Sequence, residues 1–453
     1  MADFLQNSDA FVWSIESDAR LRSTIVTLVV LDRTPDWPEL VNRFEQLARR
    51  VPVFRQRVIT SPAPLPPRWD SDPEFDLSYH LRRVTASAPG TVDTLLEMAR
   101  IAAVADFDRT RPLWEVTLID GLSDGGAALL CKLHHALTDG VGAVELGAIL
   151  YDDTERYETC QVRDMPAPVP CTARGWWQGG LWDGTGLAAG AVSAVWNAAR
   201  ATVASGIRQP VGTMTSAYDT TASIYRTMRP MAQPGSPIML VRSRSRRLAI
   251  HDVPKDTLHR AGGVAGGTVN DAFLAAVAGG LRRYHEKHGV TVGDLTVTMP
   301  ISIRTADDPP GGNRATLMRF GVPAGIVDPA DRIRVIHDRA GEVRHEKSLA
   351  HTELIAGGLN LAPLWYVSSV LRNVDFVASD VPGIPIPVFL AGARVRSQYA
   401  FSPTIGAAFN ITLLSYVDTC AMGINADTGA IPDFDVFLDC LLAGFDEVLA
   451  LAG

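Results

Sequence analysis

Apolar and polar positions along this chain follow two periods, one typical of β-strands and one typical of α-helices. Residues 127–133 form a short apolar run after the turn-forming cluster at 123–126, and this run predicts a strand. Apolar side chains then recur at helical spacing between Val141 and Ile149, and Asp139 stands where a helix N-cap is expected. The pattern predicts a strand, a tight turn and a helix in succession.

The same two periods recur through the rest of the chain. Alternation predicts strands at residues 114–119, 409–416 and 420–426, and a short turn joins the last two. Amphipathic helices are predicted after Thr268 and from Asp433, because apolar side chains there share one stripe. Since strands and helices alternate, we expect an α/β fold.

Composition limits the class of protein without defining an activity. A chain of 453 residues supplies either two domains or one large one. The 50 acidic and 42 basic side chains leave a net charge of −8, which argues against a nucleic-acid partner. The five cysteines lack paired spacing and predict reduced thiols in a cytoplasmic protein. Neither a secretory signal nor an apolar run long enough to span a membrane is expected.

Residues 160–237 differ in composition from the rest of the chain. Prolines occur near both ends of this segment, four tryptophans lie among glycine and alanine, and residues 187–196 predict a helix with a broad apolar surface. We expect a crossover between two halves of the protein. The tryptophans either pack on the protein body or make peripheral contact with a membrane or lipid droplet. The scarcity of basic residues beside them favours packing.

The most informative segment begins at His134 and reads His-His-Ala-Leu-Thr-Asp-Gly. If the strand persists through both histidines, His135 shares a face with Cys131 and Leu133, whereas His134 points to the opposite face. Only one of the two rings then faces a given pocket.

A histidine at such a turn suits general-base catalysis, because a neutral imidazole can take a proton from a bound hydroxyl near neutral pH. Packed or metal-ligating histidines are the alternatives. No cysteine or third histidine stands at a standard ligand spacing, and adjacent histidines on one strand diverge, so we expect no metal. His135 is the predicted general base, with His134 in a supporting role.

Two further pairs of polar residues are candidates for the site. Asn270 and Asp271 stand at the predicted start of a helix, where they either cap it or lie near the reacting groups. Asn410 and Thr412 share one face of a predicted strand, where they either bond to each other or stabilise an oxyanion.

These residues belong to a longer series of sequence blocks. The chain resembles the bacterial wax ester synthase/diacylglycerol acyltransferase family, within the chloramphenicol-acetyltransferase-like superfamily that also includes peptide-synthetase condensation domains. The matching blocks, in chain order, are residues 52–57, 75–77 with His80, 111–115, 134–140, 266–273, 300–304, 312–313, 381–383, 410–412 and 415–416. Residues 417–419 depart from the family, which commonly has glycine after the last block.

The resemblance implies two chloramphenicol-acetyltransferase-like halves, each a mixed sheet flanked by helices, with a tunnel between them. Residues 1–159 would form the N-terminal half, 160–237 the crossover and 238–453 the C-terminal half. It also implies that Asp139 is structural and braces the turn, while Gly140 permits a close approach of the backbone.

The activity implied is O-acyl transfer in which His135 removes the proton of an acceptor hydroxyl. Long-chain acyl-CoA would be the co-substrate and diacylglycerol or a long-chain alcohol the acceptor, with no metal or bound cofactor. The sequence contains no G-x-S-x-G nucleophile elbow, so we expect no acyl-enzyme intermediate. Pro112, Leu113 and Trp114, the family's Pro-Leu-Trp motif, are expected to support the neighbouring strand.

Two alternatives remain open at this point. An acyltransferase that uses a carrier-protein thioester, or a different lipid alcohol, would have the same catalytic residues. A non-catalytic lipid-binding or lipid-droplet protein would keep the fold without the activity, although the intact His-His and Asp-Gly positions argue against it. We expect a cytoplasmic location. The alternative is a cytoplasmic protein that also contacts the inner membrane or lipid droplets peripherally.

Overall fold

Strands and helices alternate along the part of the chain that the structure describes. The structure is a computed structural model, and it describes residues 3–61, 65–138, 142, 146–147, 149–156, 234–302, 315–344, 360, 364–371 and 373–453. Asp139, Gly140 and residues 157–233, which include the tryptophan-rich part of the predicted crossover, lie outside this description.

The elements are numbered in chain order. The strands are β1 Asp3–Phe4, β2 Thr24–Leu31, β3 Gln56–Ile59, β4 Arg68–Ser71, β5 Leu81–Thr85, β6 Trp114–Asp120, β7 Ala127–His134, β8 Arg246–Pro254, β9 Asp294–Ser302, β10 Ala315–Pro323, β11 Phe376–Val381, β12 Phe389–Leu390, β13 Ala393–Phe401, β14 Phe409–Tyr416 and β15 Thr419–Asp427. The helices are α1 Asn7–Ile15, α2 Trp37–Arg50, α3 Leu77–His80, α4 Val92–Val104, α5 Lys255–Val264, α6 Val269–Lys287, α7 Pro329–Arg344, α8 Leu364–Leu371 and α9 Phe434–Leu449.

The first large sheet has the strand order β12-β13-β2-β7-β6-β5. β5 and β6 are parallel and the other neighbours are antiparallel, so the sheet is mixed. Leu40 and Phe44 of α2 join the apolar core on one face, and Leu95 and Ala99 of α4 join the core on the other. β7 therefore lies near the middle of a sheet that helices cover on both faces.

The second large sheet has the order β10-β9-β11-β14-β15-β8. It is also mixed, because β11 runs parallel to both β9 and β14 while the other pairs are antiparallel. The buried helix α6 and the amphipathic helix α9 form most of the apolar core against this sheet. The predicted architecture of two mixed sheets flanked by helices is confirmed.

One segment joins the two sheets. β12 and β13 lie within the range predicted for the C-terminal half, yet they form the edge of the first sheet, where β13 pairs with β2. β13 also contacts β14 and β15 of the second sheet. At Gly423 of β15 a Cβ atom would lie 2.1 Å from the carbonyl oxygen of Ala400, so only glycine permits this approach. The second half thus contributes structure to the first.

The β14–β15 hairpin is tighter than the sequence predicts. Tyr416 pairs with Thr419, which leaves a two-residue turn at Val417 and Asp418. Val417 has φ of 53°, a conformation that a β-branched residue rarely adopts and that glycine adopts without strain. Residues 417–419 therefore form a tight turn without the family's glycine. The cost is the strained, positive φ of Val417.

Candidate functional site

The two histidines lie where the central strand of the first sheet ends. His134 is the last residue of β7, and His135 begins the turn that follows. The His134 N–H donates to the carbonyl of Leu113 at 3.0 Å, and the His135 N–H donates to the carbonyl of Ser23 at 3.0 Å. The neighbouring chain segments on both sides therefore fix the backbone of the pair.

The turn is closed by hydrogen bonds to His134. The Leu137 N–H donates to the His134 carbonyl at 2.9 Å, and the Ala136 N–H donates to His134 Nδ1 at 3.0 Å. His134 is completely buried, whereas His135 is partly exposed. Because the strand ends at His134, the turn and not the strand pleat sets the direction of His135. The two rings nevertheless lie in different surroundings.

The ring of His134 is enclosed by the protein. Its Nδ1 accepts a hydrogen bond, so in the neutral ring the proton lies on Nε2. Nε2 lies 3.1 Å from Oε1 of Glu16 and faces that carboxylate. Trp13 and Phe107 meet the ring edge-on, with centroids 5.7 and 6.1 Å away. Nδ1 of His134 is thus used by the turn, and Nε2 is enclosed beside a carboxylate.

Glu16 anchors this arrangement from the loop after α1. Its almost fully buried carboxylate accepts from the Ser23 N–H at 2.8 Å and from Arg109 Nη2 at 3.3 Å, and Nε2 of His134 lies 3.1 Å away. Burial alone raises the pKa of Glu16, but the contact with His134, the Ser23 N–H and Arg109 outweigh burial. The pKa is held below its usual 4.5, so the group is a carboxylate at neutral pH.

Sequence reasoning missed Glu16. No spacing rule links it to His134, because the contact exists only once β2 has paired with β7 and brought the loop after α1 to the turn. The one signal was a carboxylate directly after the apolar positions Trp13 and Ile15 at the end of a helix. A charged residue that follows a buried stretch in this way is often held by a buried partner.

The Pro-Leu-Trp segment lies beside the histidine strand. The Leu113 carbonyl accepts the His134 N–H, and the Trp114 N–H donates to the Pro112 carbonyl at 2.9 Å. The Trp114 indole is completely buried, and its Nε1–H donates to the carbonyl of Phe54 at 2.8 Å. These contacts position β6 and, through Leu113, the end of β7.

Asn270 and Asp271 occupy the first turn of α6. Asp271 completes a capping box, since its Oδ2 accepts from the Thr268 N–H at 2.8 Å while Thr268 accepts from the Asp271 N–H. His337 Nδ1 lies 2.8 Å from the same carboxylate oxygen. Asn270 is buried, and its amide atoms have no hydrogen-bond partner among the described residues. Capping accounts for Asp271 and leaves Asn270 without a structural explanation.

Asn410 and Thr412 satisfy each other. The Thr412 hydroxyl lies 3.0 Å from both Asn410 Oδ1 and the Ser402 hydroxyl, and the Asn410 amide donates to the Pro403 carbonyl at 2.9 Å. Both side chains are about 1% exposed. Of the two predicted roles, mutual bonding within the sheet is the one these contacts support. The oxyanion role stays a prediction, because the described contacts use only one of the two N–H groups of the Asn410 amide.

Two motif residues, Asp139 and Gly140, lie outside the described residues. The predicted bracing of the turn by Asp139 therefore stays a prediction. Within the described ranges no group of three histidine, cysteine, aspartate or glutamate side chains is placed to hold a metal ion. No single described helix is long and apolar enough to cross a membrane, and α5 with α6 reaches that length only as a pair bent by 89°.

Two family models match most of the chain. The wax ester synthase/diacylglycerol acyltransferase catalytic domain matches residues 5–273, and the C-terminal domain of the same family matches residues 311–448. The chain belongs to this family. It is an acyltransferase of the wax ester synthase/diacylglycerol acyltransferase type.

The sequences of two relatives align with nearly the full chain. A protein of Mycobacterium tuberculosis described as a candidate diacylglycerol O-acyltransferase is 34% identical, with 100% of this chain and 93% of the relative aligned. A second M. tuberculosis protein with the same description is 31% identical over 99% of this chain and 97% of its own length. The similarity is therefore not confined to the histidine motif.

Solved structures show the same fold. A wax ester synthase/diacylglycerol acyltransferase from Marinobacter aquaeolei VT8 superposes with a TM-score of 0.64 at 23% identity, covering 99% of this chain and all of the other. The first condensation domain of the calcium-dependent antibiotic synthetase gives 0.63 at 15% identity, covering 100% and 96%. The acyltransferase fold expected from the sequence blocks is thereby confirmed.

Proposed function

We propose that this protein transfers a long-chain acyl group from acyl-CoA to the hydroxyl of diacylglycerol or of a long-chain alcohol, with His135 as the general base. The observation that carries the proposal is that the two adjacent histidines at the end of β7 have different surroundings. His134 is buried, with Nδ1 bonded to the turn and Nε2 beside Glu16, whereas His135 is partly exposed on a turn whose backbone is held from both sides.

The proposed reaction needs one proton acceptor. His135 takes the proton from the acceptor hydroxyl as its oxygen adds to the thioester carbonyl. The tetrahedral intermediate then collapses, the C–S bond breaks, and the imidazolium of His135 returns the proton to the departing thiolate. The products are an ester and free CoA, so the base is regenerated in each turnover. This chemistry requires no metal or bound cofactor.

A covalent route through a neighbouring thiol is unfavourable. Cys131 lies three residues before His134 on β7, but burial raises the pKa of its thiol to about 12. Its thiolate is therefore scarce at neutral pH. Direct attack by the acceptor hydroxyl is the simpler path.

The decisive experiment measures CoA release from palmitoyl-CoA, with diacylglycerol and hexadecanol as parallel acceptors. We expect release to depend on an acceptor and His135→Ala to lower kcat/KM by about 10²–10⁴-fold. His259→Ala, at an exposed histidine of α5, is the matched control and should retain full activity. The better acceptor identifies the product class as triacylglycerol or wax ester.

Three results would contradict the proposal in different ways. If the folded protein is inert with palmitoyl-CoA but active with a palmitoyl carrier protein, the donor is wrong. If it is inert with every thioester but binds lipid, the chain is a non-catalytic lipid-binding protein. Activity that survives His135→Ala would remove this residue from the role of base.

Lipid substrates place the proposed reaction next to a lipid surface. We include in the proposal a cytoplasmic enzyme that contacts the inner membrane or lipid droplets peripherally, through the tryptophans of residues 160–237. The double variant Trp176→Ala/Trp177→Ala should then sediment less with liposomes than the parent protein. Unchanged sedimentation would assign these tryptophans to packing.

A further inference from the structure

A loop of the first half covers the buried Glu16–His134 pair behind the histidine turn. The loop comprises residues 105–111, between α4 and β6, and its Phe107 meets the His134 ring edge-on at 6.1 Å. Two residues later, Arg109 bonds to Glu16. Both members of the pair therefore touch the same loop, although the three segments are far apart in the sequence.

Arg109 makes two contacts at this point. Its Nη2 donates to Oε2 of Glu16 at 3.3 Å, and its guanidinium lies over the Trp13 ring, 4.5 Å from the ring centre. The same Trp13 ring meets His134 edge-on. The Arg109 side chain is 40% exposed, so water can replace it without leaving a void. Arg109 thus places a permanent positive charge beside an almost fully buried carboxylate.

Two other charged contacts hold the loop in place. Arg22 Nη2 donates to Oδ2 of Asp106 at 3.0 Å. The buried Lys132 ammonium donates to the Asp106 carbonyl at 3.0 Å and lies 3.4 Å from Oε1 of Glu115. These two cations are matched with carboxylates of their own, whereas Arg109 is matched with the carboxylate of the buried pair.

The histidine turn requires His134 in its neutral form. The Ala136 N–H donates to Nδ1, and a ring nitrogen that carries a proton cannot accept that bond. A buried carboxylate such as that of Glu16 is costly without a compensating cation, which either an imidazolium or a guanidinium can supply. Because arginine keeps its charge at every working pH, Arg109 leaves His134 free to stay neutral.

We propose that Arg109 is a positioning residue for acyl transfer: by balancing the charge of Glu16, it keeps His134 neutral and the histidine turn closed. The inference rests on the proposed role of His135 as the general base. Without Arg109, the Glu16 carboxylate draws a second proton from solvent onto the His134 ring as the pH falls. That proton occupies Nδ1, breaks the bond from the Ala136 N–H and releases the backbone that carries the base.

The first test compares the dependence of kcat on pH in Arg109→Gln and in the parent protein, with palmitoyl-CoA and the better acceptor. We expect the acid-side fall in kcat to occur about one pH unit higher in Arg109→Gln. Above about pH 8 the two proteins should have the same kcat, and KM for palmitoyl-CoA should differ by less than about twofold. A loss of kcat that is equal at every pH, or no loss at all, would overturn the assignment.

Two further variants serve as controls for this test. Arg109→Lys keeps the positive charge and should restore the parent pH profile. Arg83→Gln removes a charge of similar exposure that pairs with Asp120 elsewhere on the first sheet, and it should leave the profile unchanged. An acid-side shift in Arg83→Gln as large as that in Arg109→Gln would attribute the effect to net charge and reject the local role.

A spectroscopic measurement separates this inference from the proposed function, because it needs no turnover. In protein with isotopically labelled histidine, two-bond proton–nitrogen spectra distinguish a neutral ring from an imidazolium, and contacts with the Trp13 and Phe107 rings identify His134. Between about pH 8 and pH 5.5, we expect His134 to gain its second proton about one pH unit higher in Arg109→Gln than in the parent.

The outcomes of that titration are independent of activity. An imidazolium at His134 in the parent protein at about pH 8, or the same midpoint in both proteins, would reject the role of Arg109 even if acyl transfer is observed. If His134 titrates as expected in a protein that transfers no acyl group, the proposed function fails and the charge balance stands.

Discussion

Nε2 of His134 lies 3.1 Å from Oε1 of Glu16, in a buried contact behind the histidine turn. The other nitrogen of the same ring accepts the Ala136 N–H, so one imidazole connects a fixed carboxylate to the backbone on which His135 sits. Glu16 is therefore a positioning residue that acts through His134. This relationship gives the first of the two adjacent histidines a function that differs from that of the second.

Replacement of Glu16 should affect turnover more than substrate binding. Glu16→Ala removes the carboxylate beside Nε2 of His134 and the acceptor of the Ser23 N–H, which loosens the turn and should lower kcat about 10–100-fold with little change in KM. Glu16→Gln retains an acceptor oxygen for both His134 and Ser23, so it should recover most of kcat. Steady-state kinetics of the two variants, with circular dichroism to verify folding, provide the measurement. Equal loss in both variants would mean that charge, not geometry, matters at this position.

Trp114 should be important for stability and not for chemistry. Trp114→Phe removes the donor to the Phe54 carbonyl and leaves a void in a fully buried site, and should cost about 2–4 kcal/mol in the free energy of unfolding. Urea denaturation measures this cost. Trp365→Phe is the control, because Trp365 is 73% exposed and its replacement should change stability by less than about 0.5 kcal/mol. A loss of kcat in folded Trp114→Phe protein would show a direct role in the reaction.

A variant of Thr412 distinguishes the two predicted roles of the β14 polar pair. Thr412→Val breaks the bonds to Asn410 and Ser402 and should destabilise the protein by about 1–3 kcal/mol. Its kcat should differ from that of the parent protein by less than about twofold. Thr298→Val is the control, since the buried Thr298 hydroxyl has no partner among the described residues and its removal should be neutral or stabilising. If Thr412→Val instead lowers kcat about a hundredfold at unchanged stability, the result would support the oxyanion role.

Asp380 on β11 should make stability depend on pH. Burial raises the pKa of its carboxyl to about 6, and Arg344 opposes the shift only in part. Because the folded state holds a proton that the unfolded chain releases near its usual pKa of 3.8, stability falls as the pH rises from about 4 to 6. Asp380→Asn should therefore stabilise the protein by about 2 kcal/mol above pH 6 and have little effect below pH 4. Urea midpoints at pH 4 and pH 7.5 measure the difference, and an equal effect at both values would contradict the shift.

The elements that sequence patterns predict best are those with a local cause. Period-two alternation located β6, β14 and β15 to within about two residues, an apolar run located β7, and the apolar stripe located α9. Thr268 correctly marked the start of α6, because a capping box depends on residues three apart. Local rules were sufficient wherever the stabilising contacts are themselves local.

Contacts between distant segments account for what the sequence did not predict. Strand alternation assigned a direction to the His135 side chain, but the strand ends at His134. Backbone hydrogen bonds to Leu113 and Ser23 then fix the position of the two histidines. Likewise, Glu16 carries no local signature, since its significance depends on which segments the fold brings together. The pairing of β13 with β2 is of the same kind, because neither strand's pattern names its partner.

The pairing of β13 with β2 also has a consequence for biosynthesis. β2 is rich in valine, isoleucine and leucine, and its outer edge stays unpaired until β13 has left the ribosome. At ordinary rates of translation that interval is on the order of tens of seconds. During this time the nascent chain exposes a strand edge of the kind that recruits other strands. The N-terminal half therefore reaches its final form only after most of the C-terminal half has been synthesised, and we expect chaperones to hold the incomplete sheet until then.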